Sequence, residues 1–263
     1  MRRRTHAAAA AVASAAVAAV TATLLAGPAG PAGASGPVER QRAAEDVVVG
    51  HAADHLPNQT AEDWVTHADH VIVVSAVSER QIPPTQQELD RGEGVIGRNV
   101  TLRIDEVLWS RDGAPKPAPR TWDYSAVGWQ FTDGDTGNRT ELAMHDRPRV
   151  EVGHTYIMAV VWEQARCSPG DPEAPAQWRG LGEGSEIPYD TGVIGTGEQE
   201  GRTQRADEAA TAVARGTEAG ADDGLEERLA GREAAELVAE LKAARPGDTR
   251  QRAAATAAET GCG

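Results

Sequence analysis

The sequence predicts an α+β fold: a small antiparallel β-barrel of about five to six strands, preceded by a short helix and followed by a C-terminal helical extension. Three observations predict it. Runs of β-branched and aromatic residues alternate with Gly- and Asp-rich turns across the middle of the chain. The apolar phase slips inside the longest run, as expected where a bulge curls a small sheet. Beyond residue 225 the apolar period becomes that of an amphipathic helix.

Domain boundaries follow from the aromatic residues. All six Trp, all three Tyr and the single Phe fall between residues 64 and 189, and a domain of this size can bury a sizeable core. We therefore place the barrel at residues 60–195, after a leader at 35–59. Residues 196–224 predict a low-complexity linker or a marginal helix, because a segment without large apolar side chains cannot offset its ordering entropy. Residues 225–263 form the C-terminal helical segment.

Residues 1–34 predict a cleaved signal peptide. Three arginines precede an uncharged run from Ala7 to Ala26, and the AGA of Ala32–Ala34 has the small-x-small pattern of a cleavage site. Pro28 stands where a lipoprotein would carry its lipidated cysteine. We expect a secreted, extracellular protein with no transmembrane segment after signal removal. The choice between general and twin-arginine export stays open.

The charge balance limits the partners. The chain has 26 basic and 40 acidic residues, a formal net charge of −14, so phosphate backbones and anionic membranes repel it. No nucleic acid is expected as a partner; an unknown protein or a cell-wall glycan is. The sequence has no phosphate-cradling Gly loop and no G-x-S-x-G. We therefore expect no cofactor and no catalytic residue.

The elements follow in order along the chain. Thr60 predicts the N-cap of a short helix, whose first turn carries Glu62 and Asp63. From His70 the run HVIVVSAV is continuously apolar and predicts a strand buried on both faces at its start. The next strand, NVTLRIDEVLW, alternates until Ile104 and then changes phase, which predicts a bulge.

Three further segments complete the predicted sheet and its helical extension. TWDYSAVGWQF is a third strand interrupted at Gly128, and DGDTG is a turn. RVEVGHTYIMAVVW supplies one or two strands around Gly153. The final helix has a stripe at helical spacing, formed by Ala234, Leu237, Val238 and Leu241.

This order resembles a known family. A helix carrying W…AD, then HVIVVSAV, VTLRIDEVLW and VEVGHTYIMAVV, is similar to the secreted OB-type barrels of the netrin/TIMP-like class. The resemblance covers roughly residues 60–165 and implies a barrel with a binding role. Animal members carry an N-terminal cysteine and several disulfides that this chain lacks, so their inhibitory residues are not carried over.

Two clusters of histidines raise the alternative of a metal-binding secreted protein. HAADH and HADH place His51, His55, His67 and His70 at spacings that resemble zinc ligands. However, His67 falls near the end of its helix and His70 enters the following strand, so the match to a helical ligand pair is short. We interpret these four residues as weak metal candidates and predict no metal site.

A second alternative is an Asp190-dependent hydrolase. Asp190 lies in Asp-Thr-Gly, the triplet of aspartic proteases, but such an enzyme needs two aspartates that share a proton and the chain has one triplet. We therefore favour a non-catalytic binding or envelope-associated module. Exposed indoles anchor such binding, but six tryptophans in one domain also fill a core, which is the expectation for each of them. Trp122 and Trp129 are the binding candidates, because Gly128 interrupts the strand between them and favours this pair for exposure.

The two cysteines, Cys167 and Cys262, predict one disulfide in an oxidising compartment. The bridge would tether the C-terminal helix to the barrel. Free thiols, or a bridge to a second chain, are the alternatives.

Overall fold

The computed structural model describes residues 47–52, 54, 56–145, 147–165, 174–195 and 224–247. Eight strands form one sheet: Val48–Gly50 (β1), His70–Ile82 (β2), Gly94–Ser110 (β3), Thr121–Thr132 (β4), Asp135–Met144 (β5), Thr155–Glu163 (β6), Gln177–Gly180 (β7) and Glu186–Pro188 (β8). The chain is thus α+β, as predicted. β1, β5, β7 and β8 were not among the predicted strands, because their alternation is weak or their length short.

Among the described residues, four short α-helices and one short 3-10 helix, Glu183–Ser185, accompany the sheet. The α-helices are Ala61–His67 (α1), Gln86–Arg91 (α2), Leu225–Leu229 (α3) and Ala234–Ala243 (α4). Thr60 caps α1 as predicted, because its side chain accepts a hydrogen bond from Asp63 N while Asp63 reaches back to the Thr60 backbone. The predicted α4 stripe is confirmed by the burial of Leu237 and Leu241. α2 was not predicted.

The strand order is β1-β5-β4-β3-β2-β6-β7, with β8 also paired to β6. The first half of β2 and most of β6 are buried on both faces, as predicted for the start of β2. One face contributes Ile72, Val74 and Met158 to a core within the sheet. The other packs Val71 against α1, α3 and α4. Two cores therefore share the same two strands.

The bulge predicted after Ile104 is confirmed. Ile104 pairs with Val74 but Glu106 pairs with Val73, which leaves Asp105 as the extra residue on β3. A second extra residue, Leu108, follows before Trp109. Such insertions increase the twist and bend of a strand, and they occur where β3 crosses the centre of the sheet.

Two hydrogen bonds show that the sheet curls. The indole of Trp122 on β4 donates to the carbonyl of Trp178 on β7 at 3.1 Å, although three strands separate β4 from β7. Four spacings of a flat sheet would put these strands about 19 Å apart. Tyr124 on β4 likewise contacts Glu186 on β8.

The predicted closure into a barrel is not confirmed, because the sheet is open. The edge of β4 over residues 121–128 has no strand partner other than β3, and β7 pairs only with β6, within the described part of the chain. Side chains occupy the gap, and their bulk prevents the two backbone edges from reaching pairing distance. We call this gap between β4 and β7/β8 the seam.

A bulge at Gly128 leaves backbone carbonyls of β4 without a strand partner, and two arginines donate hydrogen bonds to them. Ile96 pairs with Trp129 but Gly97 with Val127, so Gly128 is the extra residue, as its interruption of the pattern suggested. Arg149 Nη1 donates to the carbonyls of Val127 and Gly128, both at 3.2 Å, and also to that of Leu142. Arg98 Nε donates to Val127 O at 2.9 Å. Guanidinium groups thus replace the missing strand partner.

Gly128→Ala is expected to destabilise the fold by about 1–3 kcal/mol. A Cβ at this position would lie 2.4 Å from the carbonyl oxygen of Ile96, which is backbone and cannot move aside cheaply. Gly97→Ala is the matched control on the neighbouring strand, since its Cβ would meet Ile82 at an ordinary 3.4 Å. Urea unfolding should place Gly97→Ala within about 0.5 kcal/mol of wild type. Equal losses in the two variants would contradict the bulge assignment.

Candidate functional site

The seam is bridged by a buried carboxylate. Glu186 on β8 is fully buried (0 % exposed), and Tyr124 Oη lies 2.9 and 3.0 Å from its two oxygens. Arg147 meets the same carboxylate with two donors, Nη2 at 2.5 Å and Nε at 3.1 Å. A bidentate guanidinium is the geometry that best compensates a buried carboxylate. Two segments distant in sequence, β4 and the segment before β6, therefore converge on Glu186.

The surroundings fix the protonation states of this triad. Burial raises the pKa of the Tyr124 phenol, and the Glu186 charge raises it further. Burial has the largest effect on the pKa of Arg147 and lowers it, but Glu186, Tyr124 and Asp54 together raise it more, so the net shift is upward. Tyr124 therefore stays neutral and Arg147 stays charged throughout the physiological pH range.

A polar cleft of about 230 Å³ opens beside the triad. Tyr124 and Ser125 of β4 form one wall, and Glu163 of β6 with Arg179 of β7 forms the other. Arg179 Nε and Glu163 Oε2 are 2.7 Å apart. The cleft thus lies along the seam, and two arginines and two glutamates, paired as Arg147–Glu186 and Arg179–Glu163, are among its lining residues. We call it the seam cleft.

A smaller recess of about 140 Å³ adjoins the seam cleft and shares Tyr124, Ser125 and Arg147 with it. Two more arginines, Arg98 and Arg149, line this recess. None of its lining residues is acidic, which is unusual in a chain of net charge −14. We call it the arginine recess.

Carboxylates hold these two arginines from behind. Arg98 Nη1 lies 2.8 Å from Glu79 and 3.4 Å from Glu151. Arg149 Nε lies 2.8 Å from Glu151 and 3.1 Å from Glu141. Burial raises the pKa of Glu151, although Arg98 and Arg149 oppose the shift. Burial, and then the charge of Arg98, lowers the pKa of Arg149. The network is a chain of charges that compensate one another at the cost of desolvation.

The five residues that build these sites, namely Arg98, Tyr124, Arg147, Arg149 and Glu186, were not among the sequence candidates. Arg98 carries a signal that sequence reasoning could have used, because it alternates with Ile96 and Val100 on the inward face of β3. The other four residues meet only through contacts between distant segments, which local pattern does not encode.

The histidine candidates do not form a common site in the described residues. His70 is buried, and its ring nitrogens lie 2.8 Å from Ser110 Oγ and from Lys116 O. His67 is buried at the end of α1, and the exposed His51 stacks on His145 at 4.6 Å. His55 lies outside the described residues. No group of three or more His, Cys, Asp or Glu side chains is placed to hold a metal ion in the part of the chain described here.

The exposure favoured for the pair is wrong for Trp122. Trp122 is 7 % exposed and packs in the core within the sheet, because its polar N–H finds the carbonyl of Trp178 and so tolerates burial. Trp129 is half-buried, with its ring 4.3 Å from the Arg139 guanidinium and 5.3 Å from that of Arg149. Both tryptophans thus make contacts within the sheet.

Asp190 is an anchor for the turn after β8. Its carboxylate accepts hydrogen bonds from Thr155 N at 2.7 Å and from His154 Nδ1 at 2.6 Å. The fold brings His154 to Asp190 although 36 positions separate them in the sequence. Both carboxylate oxygens therefore hold the loop against the start of β6. Cys167 and Cys262 lie outside the described residues, so their disulfide stays a prediction, and so does the linker.

A larger apolar groove, of about 630 Å³, lies between α4 and β3. Leu108, Tyr189 and Val238 line it together with alanines of α4. Its charged rim residues, Glu106, Glu233 and Lys242, make no ion pairs within the described ranges. The groove therefore lacks the preorganised polar groups that distinguish the seam cleft.

Comparisons with known proteins do not assign the chain to a family. No family model, no curated protein and no solved structure matches it. Among the described residues, no helix has the length and apolarity needed to cross a membrane. The site must be interpreted from its own chemistry.

Tyr124→Phe is expected to lower stability by about 1–2 kcal/mol at neutral pH, through loss of the bond to Glu186. The free energy of unfolding of the variant should also fall less steeply than that of the wild type as the pH rises above about 10. Above about pH 10 the unfolded chain releases the phenol proton while the folded chain, with its raised Tyr124 pKa, retains it, so wild-type stability falls as pH rises. Thermal melts between neutral and alkaline pH test this. Parallel curves for the two proteins would refute it.

Proposed function

We propose that the chain is a secreted, non-catalytic module that binds a cell-wall glycan in the seam cleft. Secretion rests on the signal-like residues 1–34. Glycan binding rests on one observation: two preformed ion pairs are among the residues that line the seam cleft. Arg147 pairs with Glu186 on its floor, and Arg179 pairs with Glu163 at its rim.

Sugar hydroxyls suit such a cleft. Each hydroxyl both donates and accepts hydrogen bonds, so a ring with several of them needs guanidinium donors and carboxylate acceptors in alternation. Because the ion pairs already fix these groups, binding orders few side chains and costs little rotamer entropy. The Tyr124 ring in the wall offers the apolar surface that a sugar face requires. At about 230 Å³ the cleft is smaller than typical drug-sized pockets.

The titration behaviour of the seam supports binding over catalysis. A general acid or base works best when its pKa lies near the operating pH. The pKa values of Tyr124 and Arg147 are both raised, away from neutrality. These groups therefore hold hydrogen bonds without exchanging protons, as a recognition site requires.

The incomplete closure of the sheet fits the same proposal. We propose that the curled sheet acts as an incomplete barrel of the OB-like type, in which the unclosed seam replaces the usual binding face. Open strand edges and barrel mouths are common places for ligands. The acidity of the chain favours a glycan over a phosphate-rich polymer.

Ser125→Tyr is expected to reduce retention on insoluble peptidoglycan by about tenfold or more. Ser125 is exposed and lines the seam cleft, so a phenol ring would fill the entrance without touching the buried triad. Thr121→Tyr is the matched control: it is exposed on the same face of β4 but outside the cleft lining. Sedimentation with purified sacculi, and with chitin and cellulose for comparison, measures retention.

Both variants should melt within a few degrees of wild type, since each replaces an exposed strand residue by a good β-former. A wild-type protein that fails to sediment with all three polysaccharides would contradict glycan binding. Equal retention of Ser125→Tyr and Thr121→Tyr would place the site elsewhere.

A further inference from the structure

The arginine recess contains three guanidinium groups on one side of a small cavity. Arg98, Arg147 and Arg149 all line it, and it opens next to the seam cleft through their shared residues Tyr124 and Ser125. A ligand that occupies the seam cleft therefore has the arginine recess within reach of a substituent. The size of the recess, about 140 Å³, suits a small polar group.

The guanidinium groups are held in place before any ligand arrives. Glu79 and Glu151 hold Arg98, Glu186 holds Arg147, and Glu151 also reaches Arg149. These carboxylates do not line the recess. Each arginine of the recess is therefore ion-paired with a carboxylate outside the recess lining, and its position is fixed before a ligand binds. Preorganised donors of this kind lose little entropy when they bind an anion.

Each of two arginines keeps one terminal nitrogen for further bonding. Arg98 uses Nε and Nη1, and Arg147 uses Nε and Nη2. Nη2 of Arg98 and Nη1 of Arg147 make no hydrogen bond to any residue that the structure describes. A guanidinium has five N–H donors, and a planar carboxylate can accept from two of them at once.

We infer that the glycan bound in the seam cleft carries a carboxylate, and that this carboxylate lies in the arginine recess. The inference rests on the proposed function. It names the substrate class as an acidic sugar with isolated carboxylates. A densely charged polyanion is disfavoured, because four carboxylates stand behind three guanidinium groups and the chain carries a net charge of −14.

A purely structural role for the arginines makes a different prediction. Arg98 and Arg149 also clamp the carbonyls exposed by the Gly128 bulge. If that were their only role, a carboxylate on the ligand would bring no affinity. The two cases separate when the ligand is altered and the protein is left intact.

Isothermal titration of the full secreted chain with three probes makes this separation. The probes are N-acetylmuramic acid, its methyl ester, which lacks only the charge, and N-acetylglucosamine, which lacks the whole lactyl group. The acid is expected to bind at least about tenfold more tightly than the ester or the neutral sugar. Equal affinities for the three would overturn the inference and leave glycan binding standing. If no probe binds and the chain also fails to sediment with sacculi, both proposals fail.

A pair of variants places the carboxylate in the recess. Ser125 lines both cavities, so Ser125→Glu adds a carboxylate of the protein beside the arginine recess, whereas Thr121→Glu adds the same charge to β4 outside both linings. Both change an exposed residue, so folding should be preserved. Ser125→Glu should lose the preference for the acid over the ester, and Thr121→Glu should keep it. Retention of the full preference in Ser125→Glu would show that the carboxylate binds elsewhere and overturn the inference.

Discussion

A buried negative charge organises this fold. The carboxylate of Glu186 has no exposure to solvent, and removing a carboxylate from water costs several kcal/mol unless it is paired with good geometry. Arg147 supplies the pairing charge with two donors, and Tyr124 supplies a further hydrogen bond. Because these partners come from β4 and from the segment before β6, satisfying one charge draws distant parts of the chain to β8.

The same interaction explains why the sheet curls without closing. Trp122, Tyr124 and Arg147 reach across the seam as side chains, so β4 approaches β7 and β8 but does not pair with them. The gap becomes a polar cleft with guanidinium groups arranged from behind by carboxylates. A closed ring of backbone pairing would have removed that cleft. Stability and the proposed binding site thus depend on the same contacts.

Much of the framework could be predicted from local pattern. The apolar run after His70, the phase slip after Ile104, the break at Gly128 and the cap at Thr60 all follow from short-range physics, and the structure confirms each. The seam could not be predicted in this way. Glu186 and Arg147 lie in segments without periodicity and meet only through the tertiary fold.

The tryptophans show that an irregularity in the sequence pattern does not by itself reveal which side chains are exposed. The sequence favours exposure of Trp122 only because Gly128 interrupts the strand that carries it. The N–H of Trp122 instead finds a carbonyl on β7, and a satisfied indole is readily buried. The bulge at Gly128 instead exposes a carbonyl that accepts a hydrogen bond from Arg149. The sequence locates the irregularity at Gly128, but the role of that irregularity depends on Arg149, a residue 21 positions away.

Backbone amide NMR during titration with solubilised peptidoglycan fragments tests the central claim most directly. If the seam is the binding site, the amide signals of Tyr124, Ser125 and Gly180 should shift together as the fragments are added, since these residues line its two walls. Shifts centred instead on Tyr189 and Val238 in the apolar groove, with the seam unchanged, would contradict the account.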